Sequence, residues 1–150
     1  MGCKLIAYIP HLIENDLVIK VVFVLFVSSL KIFMHIEELR EFCLGLPLVE
    51  EKFPFDQTTL VFYITGKMFC LCDIDDFDSV NIKCDPDNAI ELRATFEAVI
   101  PGYHMNKKHW NTVKIHQDVK DVQIKEWIKD SYNLVILTLP KSKRPELLKE

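Results

Sequence analysis

Apolar residues recur at helical spacing in Ile36, Leu39, Cys43 and Leu46, with Glu37, Glu38, Arg40 and Glu41 between them. That is the pattern of a short amphipathic helix, which Gly45 and Pro47 end. Pro54 punctuates the stretch that follows. Leu60 to Ile64 is rich in β-formers, Thr65-Gly66 is a turn signal, and Lys67 to Asp73 resumes a strand-like run. Together they predict a hairpin. From Asp78 to Cys84 the chain alternates, Val80, Ile82 and Cys84 against Ser79, Asn81 and Lys83, as a half-buried strand does. Asp85-Pro86 supplies an N-cap and a proline at the first helical position. Ala89, Leu92, Arg93 and Phe96 then predict a helix over 86–98, stopped by Pro101-Gly102. Trp110 to His116 alternates again. Ile124, Trp127, Ile128, Leu134 and Val135 mark a last helix from Asp121 to about Leu139, closed by Pro140. A basic tail, Lys141, Lys143 and Arg144, follows. Helix, several strands, helix, strand, helix predicts an α+β fold, an antiparallel sheet with helices packed on one face.

Residues 1–33 read differently. Leu17 to Phe33 is nearly all apolar, broken by Lys20 and Lys31, and its longest uncharged run, Val21 to Leu30, is 10 residues. A spanning helix needs roughly 20. Glu14 and Asp16 stand where a signal peptide wants a basic region, and Ser28-Ser29-Leu30-Lys31 is a poor cleavage site. Ile6 occupies the place where myristoylation wants Ser or Thr. Two readings follow. The segment is a hydrophobic N-terminal extension, or translation starts at Met34 and the upstream stretch is a mis-called start. Met34 directly precedes a well-formed domain start, which favours the second. The domain organisation expected is thus an extension over 1–33 and one domain over 34–150 with no membrane segment.

Composition narrows the function classes. Hydrophobic residues are 49% and charged residues 27% of the chain, enough for a packed core and against general disorder. Lys and Arg number 18 against 22 Asp and Glu, so a generally basic nucleic-acid binder is excluded and any such contact needs a local patch. Five Cys is an odd count and none form C-x-x-C, which argues against a disulfide framework or a zinc site and for a reducing, cytoplasmic setting.

The densest chemistry lies in Pro101-Gly102-Tyr103-His104-Met105-Asn106-Lys107-Lys108-His109-Trp110-Asn111-Thr112-Val113. Gly102 offers backbone freedom after a helix. Tyr103 and Trp110 are flat aromatic surfaces, and His104, Lys107, Lys108 and His109 place two full and two potential positive charges close together. Asn106, Asn111 and Thr112 add neutral hydrogen-bonding groups. Such a set can grip a phosphate backbone and stack on a base, and Lys67, Lys83 and Lys114 on neighbouring strands would extend the patch. Each residue has a plainer alternative. Trp110 anchors the loop as half-buried core, the lysines form a solvated turn, and the histidines are structural.

The same motif resembles the signature of the MmcQ/YjbR family of small bacterial proteins. Glu37-Glu38-Leu39-Arg40, Phe53-Pro54-Phe55, Gly66-Lys67-Met68-Phe69, Asn81-Ile82-Lys83-Cys84-Asp85-Pro86, Ser131-Tyr132 and Leu139-Pro140-Lys141 agree with it. The resemblance covers residues 34–150 and none of 1–33. It implies a CyaY-like, double-wing fold and a DNA-binding role.

Other constellations are weaker. Cys70 and Cys72 project to one face of a predicted strand and Met68 shares that face, so they read as core thiols. Asp73, Asp75, Asp76 and Asp78 cluster at a turn, but Phe77 and Asp78 stand where a calcium loop wants an acid and a Gly. A solvated acidic turn is the better reading, with weak metal binding as a remote third. No G-x-S-x-G, P-loop or H-E-x-x-H occurs. The expectation is a non-enzymatic module without cofactor or metal, contacting DNA through His104, Asn106, Lys107, Lys108, His109, Trp110, Asn111, Lys83, Lys67 and Lys114. The alternative is a protein-interaction or small-anion-binding domain using the same loop.

Overall fold

A computed structural model describes residues 20–21 and 34–146, so the expectations for residues 1–33 fall outside the described residues except at Lys20 and Val21. Among the described residues six strands form one antiparallel sheet: β1 (Val49–Lys52), β2 (Thr59–Ile64), β3 (Lys67–Asp73), β4 (Ser79–Lys83), β5 (Val99–Pro101) and β6 (Trp110–Lys114). Their spatial order is β1-β2-β3-β4-β6-β5. Between residues 34 and 146 the helices are α1 (Ile36–Leu44), α2 (Pro86–Thr95) and α3 (Asp121–Leu137), followed by a 3-10 turn at Lys141–Lys143. The chain is therefore α+β, as its patterning predicts.

Local chemistry sets most boundaries. Thr65 and Gly66 have φ of 47° and 81°, the paired left-handed residues that suit a two-residue hairpin between β2 and β3. The Asp85 carboxylate accepts from the Asp87 and Asn88 N–H groups at 3.0 and 3.5 Å, capping α2 behind Pro86. That helix ends at Thr95, earlier than its apolar spacing predicts. Phe96 turns extended and lays its ring against Trp127 at 5.2 Å, an edge contact that continuing the helix would forfeit.

Strands β1 and β5 are not legible in the pattern. β1 is Val-Glu-Glu-Lys and β5 is three residues ending in Pro101. Both lie at sheet edges, where charge and proline are tolerated and blunt further pairing.

A β-bulge corrects one face assignment. Phe62 pairs with Cys70 but Tyr63 pairs with Met68, leaving Phe69 as the extra residue. The bulge reverses the alternation, so Met68 packs on the opposite side of the sheet from Cys70 and Cys72. The Phe69 carbonyl accepts from the Ser131 hydroxyl at 2.5 Å, and that hydroxyl accepts from the Lys83 N–H at 2.9 Å. Ser131 of α3 thus ties the bulge to the end of β4.

Among the described residues two clusters of buried side chains result. The larger joins Leu39 and Cys43 of α1, Ala89 and Leu92 of α2, and Ile124, Ile128, Tyr132 and Val135 of α3 to Phe62, Phe69, Val80, Ile82 and Val113 of the sheet. Tyr132 meets Phe69 edge-on at 5.6 Å and donates its hydroxyl to the Pro47 carbonyl at 2.8 Å. The smaller cluster is Val61, Leu71 and Trp110, with Tyr63, Met68 and Met105 packed against it.

The cysteines of this domain behave as hydrophobes. Cys43, Cys70, Cys72 and Cys84 are free and buried. A hydrogen bond with Cys43, then burial, pushes the Cys70 thiol well up; burial raises Cys72 and takes Cys84 to about 11. Thiolate is the nucleophile, so these groups are unreactive while folded. Iodoacetamide is expected to label these four only after denaturation, as peptide mass spectrometry would show; labelling at native pH 8 would contradict their burial.

Candidate functional site

Strand direction sorts the charged residues. Lys83 pairs with Trp110 at one end of the β4–β6 ladder, and Ser79 pairs with Lys114 at the other. β3 begins at Lys67 and ends at Asp73, antiparallel to both neighbours. Lys67, Lys83 and the start of β6 therefore share one end of the sheet, which Lys107, Lys108 and His109 adjoin in sequence. Asp73, Ser79 and Lys114 share the opposite end.

The C-terminus of α3 lies at the first end. Its exposed carbonyls carry partial negative charge and draw cations. The Lys67 ammonium donates to the Thr138 hydroxyl at 2.8 Å and its carbonyl at 3.3 Å. The Arg144 guanidinium donates to the carbonyls of Leu139 at 2.7 Å and Leu137 at 2.6 Å. Lys83, Asn106, His109, Trp110 and Thr138 line a common cleft of about 500 Å³, with Asp85 as its acidic member.

At the other end Asp56, Asp73, Asp76 and Asp78 line a groove of about 610 Å³ together with His104 and Lys114. Backbone N–H donors explain two of these acids. Asp56 accepts from Thr58 and Thr59 at 2.9 and 2.6 Å, and Asp73 accepts from Asp75 and Asp76 at 2.8 and 3.0 Å. Hydrogen bonds from Thr59 hold the Asp56 carboxyl below its ordinary range, and the Asp76 N–H does the same for Asp73. Among the described residues no group of three or more His, Cys, Asp or Glu is placed to hold a metal ion.

The residues singled out in the sequence are thus divided. Asn106, Lys107 and Lys108 are exposed and His109 is half-buried, all in the loop before β6. The Asn106 side chain accepts from the Lys108 N–H at 3.0 Å, closing the loop tip. Trp110 is only 8% exposed and Asn111 is fully buried. The Asn111 amide is spent internally, its oxygen on Arg93 at 2.6 Å and its nitrogen on the Ala89 carbonyl at 3.2 Å. Asn111 is closed to a ligand and Trp110 shows the cleft only its 8% exposed edge, because both face packed protein on either side of β6. Lys114 stands at the acidic end. His104 lines the acidic groove, with a left-handed φ of 54° and its ring 4.0 Å from that of Tyr103.

Gly102 is needed for space rather than freedom. A Cβ there would sit 2.8 Å from the Trp110 Cβ and 2.9 Å from the Trp110 carbonyl. Gly102→Ala is expected to cost about 1–3 kcal/mol through overpacking, measurable as a lower urea midpoint with an unchanged slope. The residue that sequence reasoning missed is Arg93. Its guanidinium also donates to the Lys107 carbonyl and to that of Trp110 at 3.2 Å, fastening the loop to α2. The available signal was a cation at the i+4 place of an apolar helical stripe.

Comparison with known proteins places this geometry. The YjbR family model matches residues 44–134. The chain belongs to the YjbR family. It is 36% identical to YbdF of Escherichia coli O157:H7 over 106 residues, 70% of this chain and 87% of that one. It is 29% identical to YjbR of Escherichia coli K12 over 116 residues, covering 77% and 98%. The crystal structure of DR2400 from Deinococcus radiodurans, a DUF419 domain, is similar with a TM-score of 0.71 at 36% identity, covering 77% and 92%. A Pseudomonas syringae protein shares the fold at a TM-score of 0.58 and 22% identity, covering 67% and 98%. For this YjbR-family chain, no helix among the described residues is long and apolar enough to cross a membrane.

Proposed function

We propose that this YjbR-family chain is a non-enzymatic, cytoplasmic binding module whose lysine-bearing end contacts the phosphate backbone of DNA. One observation carries the reading: strand direction sets Lys67 and Lys83 at the end of the sheet where the loop bearing Lys107, Lys108 and His109 enters β6, and sends the acidic turn to the other end. A chain of net charge −4 can then present a local cationic face. Lys141 and Lys143, exposed just beyond α3, extend it. Arg93 and Asn106 hold the loop in shape before any ligand arrives, which limits the ordering cost of binding. Burial of Trp110 and Asn111 leaves phosphate neutralisation without stacking, so sequence preference is expected to be slight. Asp85 in the cleft opposes a deeply seated anion, which favours a backbone running across the surface over a small anion held within.

Titration of labelled duplex and single-stranded oligonucleotides across a salt series tests the reading. If about four phosphates are neutralised, the log–log salt slope is near −3 to −4. Lys107→Ala with Lys108→Ala is expected to weaken binding to all sequences alike and flatten the slope by about two, with the melting temperature unchanged. Absence of binding at low salt would refute the proposal.

A further inference from the structure

The groove at the acidic end plays no part in that reading. Its floor is sheet: Leu71 of β3, Asn81 of β4, and Thr112 and Lys114 of β6. No residue of α1, α2 or α3 lines it. Its volume of about 610 Å³ falls in the range of sites for small organic molecules.

Two further properties define what would fit. Phe55 and Tyr103, from separate loops, are 63% and 68% exposed, and Ile100 beside them is 37% exposed. Large apolar groups so placed around a concavity favour a flat apolar body. The charge is lopsided as well. Four carboxylates outnumber Lys114 even if His104 is protonated. Hydrogen bonds from Thr59 and from the Asp76 N–H hold the Asp56 and Asp73 carboxyls below the ordinary range, so these two carry charge throughout the neutral range.

The walls are also shaped in advance. The Thr112 hydroxyl accepts from the Tyr103 N–H at 2.9 Å and donates to the Asn81 side-chain oxygen, so floor and loop are fastened together. His104 holds a left-handed conformation that costs a β-carbon residue energy, and such outliers concentrate at binding sites.

We infer that this groove binds a small organic cation. Its flat apolar body lies against Tyr103, Phe55 and Ile100, and its ammonium or guanidinium group sits beside Asp76 and Asp78. Those two carboxylates are the candidates because Asp56 and Asp73 are committed to the backbone N–H groups of their turns, whereas Asp78 accepts from the Ser79 hydroxyl through one oxygen, at 2.8 Å. The inference is independent of the DNA reading, since Lys107 and Lys108 line no part of the groove.

Calorimetric titration of the full chain with tryptamine, neutral N-acetyltryptamine and anionic indole-3-propionate tests it. Tryptamine is expected to bind saturably and at least about tenfold tighter than either analogue. Asp76→Asn with Asp78→Asn should weaken tryptamine about tenfold, with melting unchanged, and Tyr103→Ala should weaken it too. Lys114→Ala should act in the opposite direction and tighten it, by removing a repelling charge. Lys107→Ala with Lys108→Ala should leave it unaltered. The inference is overturned if tryptamine gives no saturable heat, if all three indoles bind equally, or if the aspartate pair can be neutralised without effect.

Discussion

Replacing Trp110 with alanine is expected to lower unfolding free energy by about 3–5 kcal/mol, whereas Trp110→Phe should cost far less and leave DNA affinity within about twofold. The indole is 8% exposed and packs with Val61 and Leu71, the two other buried members of the smaller cluster. Met105 covers it from the loop, and Gly102 approaches its Cβ so closely that no side chain fits between. Among the described residues no helix residue belongs to this cluster, so only the sheet and Met105 of the loop border a cavity there. Small domains have a total stability of about 5–15 kcal/mol, so the alanine variant would stand close to unfolding. Urea denaturation measures the loss. The phenylalanine variant separates structure from function. If it stays folded but loses DNA binding, Trp110 stacks on bases and the account of it as core is wrong.

Legibility in the sequence followed the range of the interactions involved. The Thr65-Gly66 hairpin, the Asp85-Pro86 start of α2 and the alternation along β4 are set by neighbours in sequence, and the structure agrees with each. The face of Met68 was misassigned because a bulge is decided between strands: one unpaired residue, Phe69, reverses every later side chain of β3. Strands β1 and β5 draw their identity from the neighbour they pair with, which a run of charged residues or a proline does not announce. The same logic divides the candidate site. The exposed loop over 106–108 was visible as a polar run. The separation of Lys114 from Lys83 was not, because it depends on the length of β6: four residues of strand span about 13 Å and carry Lys114 to the acidic end. His104 left the cationic set through a backbone conformation that residue type alone does not reveal.

Arg93→Ala is expected to cost about 2–4 kcal/mol, from charged hydrogen bonds lost and a buried acceptor stranded. The Asn111 amide is fully enclosed, and Arg93 is its oxygen's donor at 2.6 Å. Water cannot replace that donor without opening the contact between α2 and β6, so the desolvation penalty falls on the folded state. The same substitution frees the carbonyls of Lys107 and Trp110, which fix where the loop lies. Amide exchange over residues 103–109 should therefore accelerate more than exchange in β2 or β3. DNA binding should weaken although Arg93 need not touch the ligand, because the two loop lysines would then pay an ordering cost on binding. Arg93→Lys should recover only part of the stability, since one ammonium cannot reproduce a fork reaching three oxygens. A double-mutant cycle with Asn111→Leu isolates the pair: once the buried amide is gone, losing Arg93 should cost markedly less. Strict additivity would mean that the guanidinium is not what satisfies Asn111, and the pre-formed loop on which the DNA reading leans would lose its support.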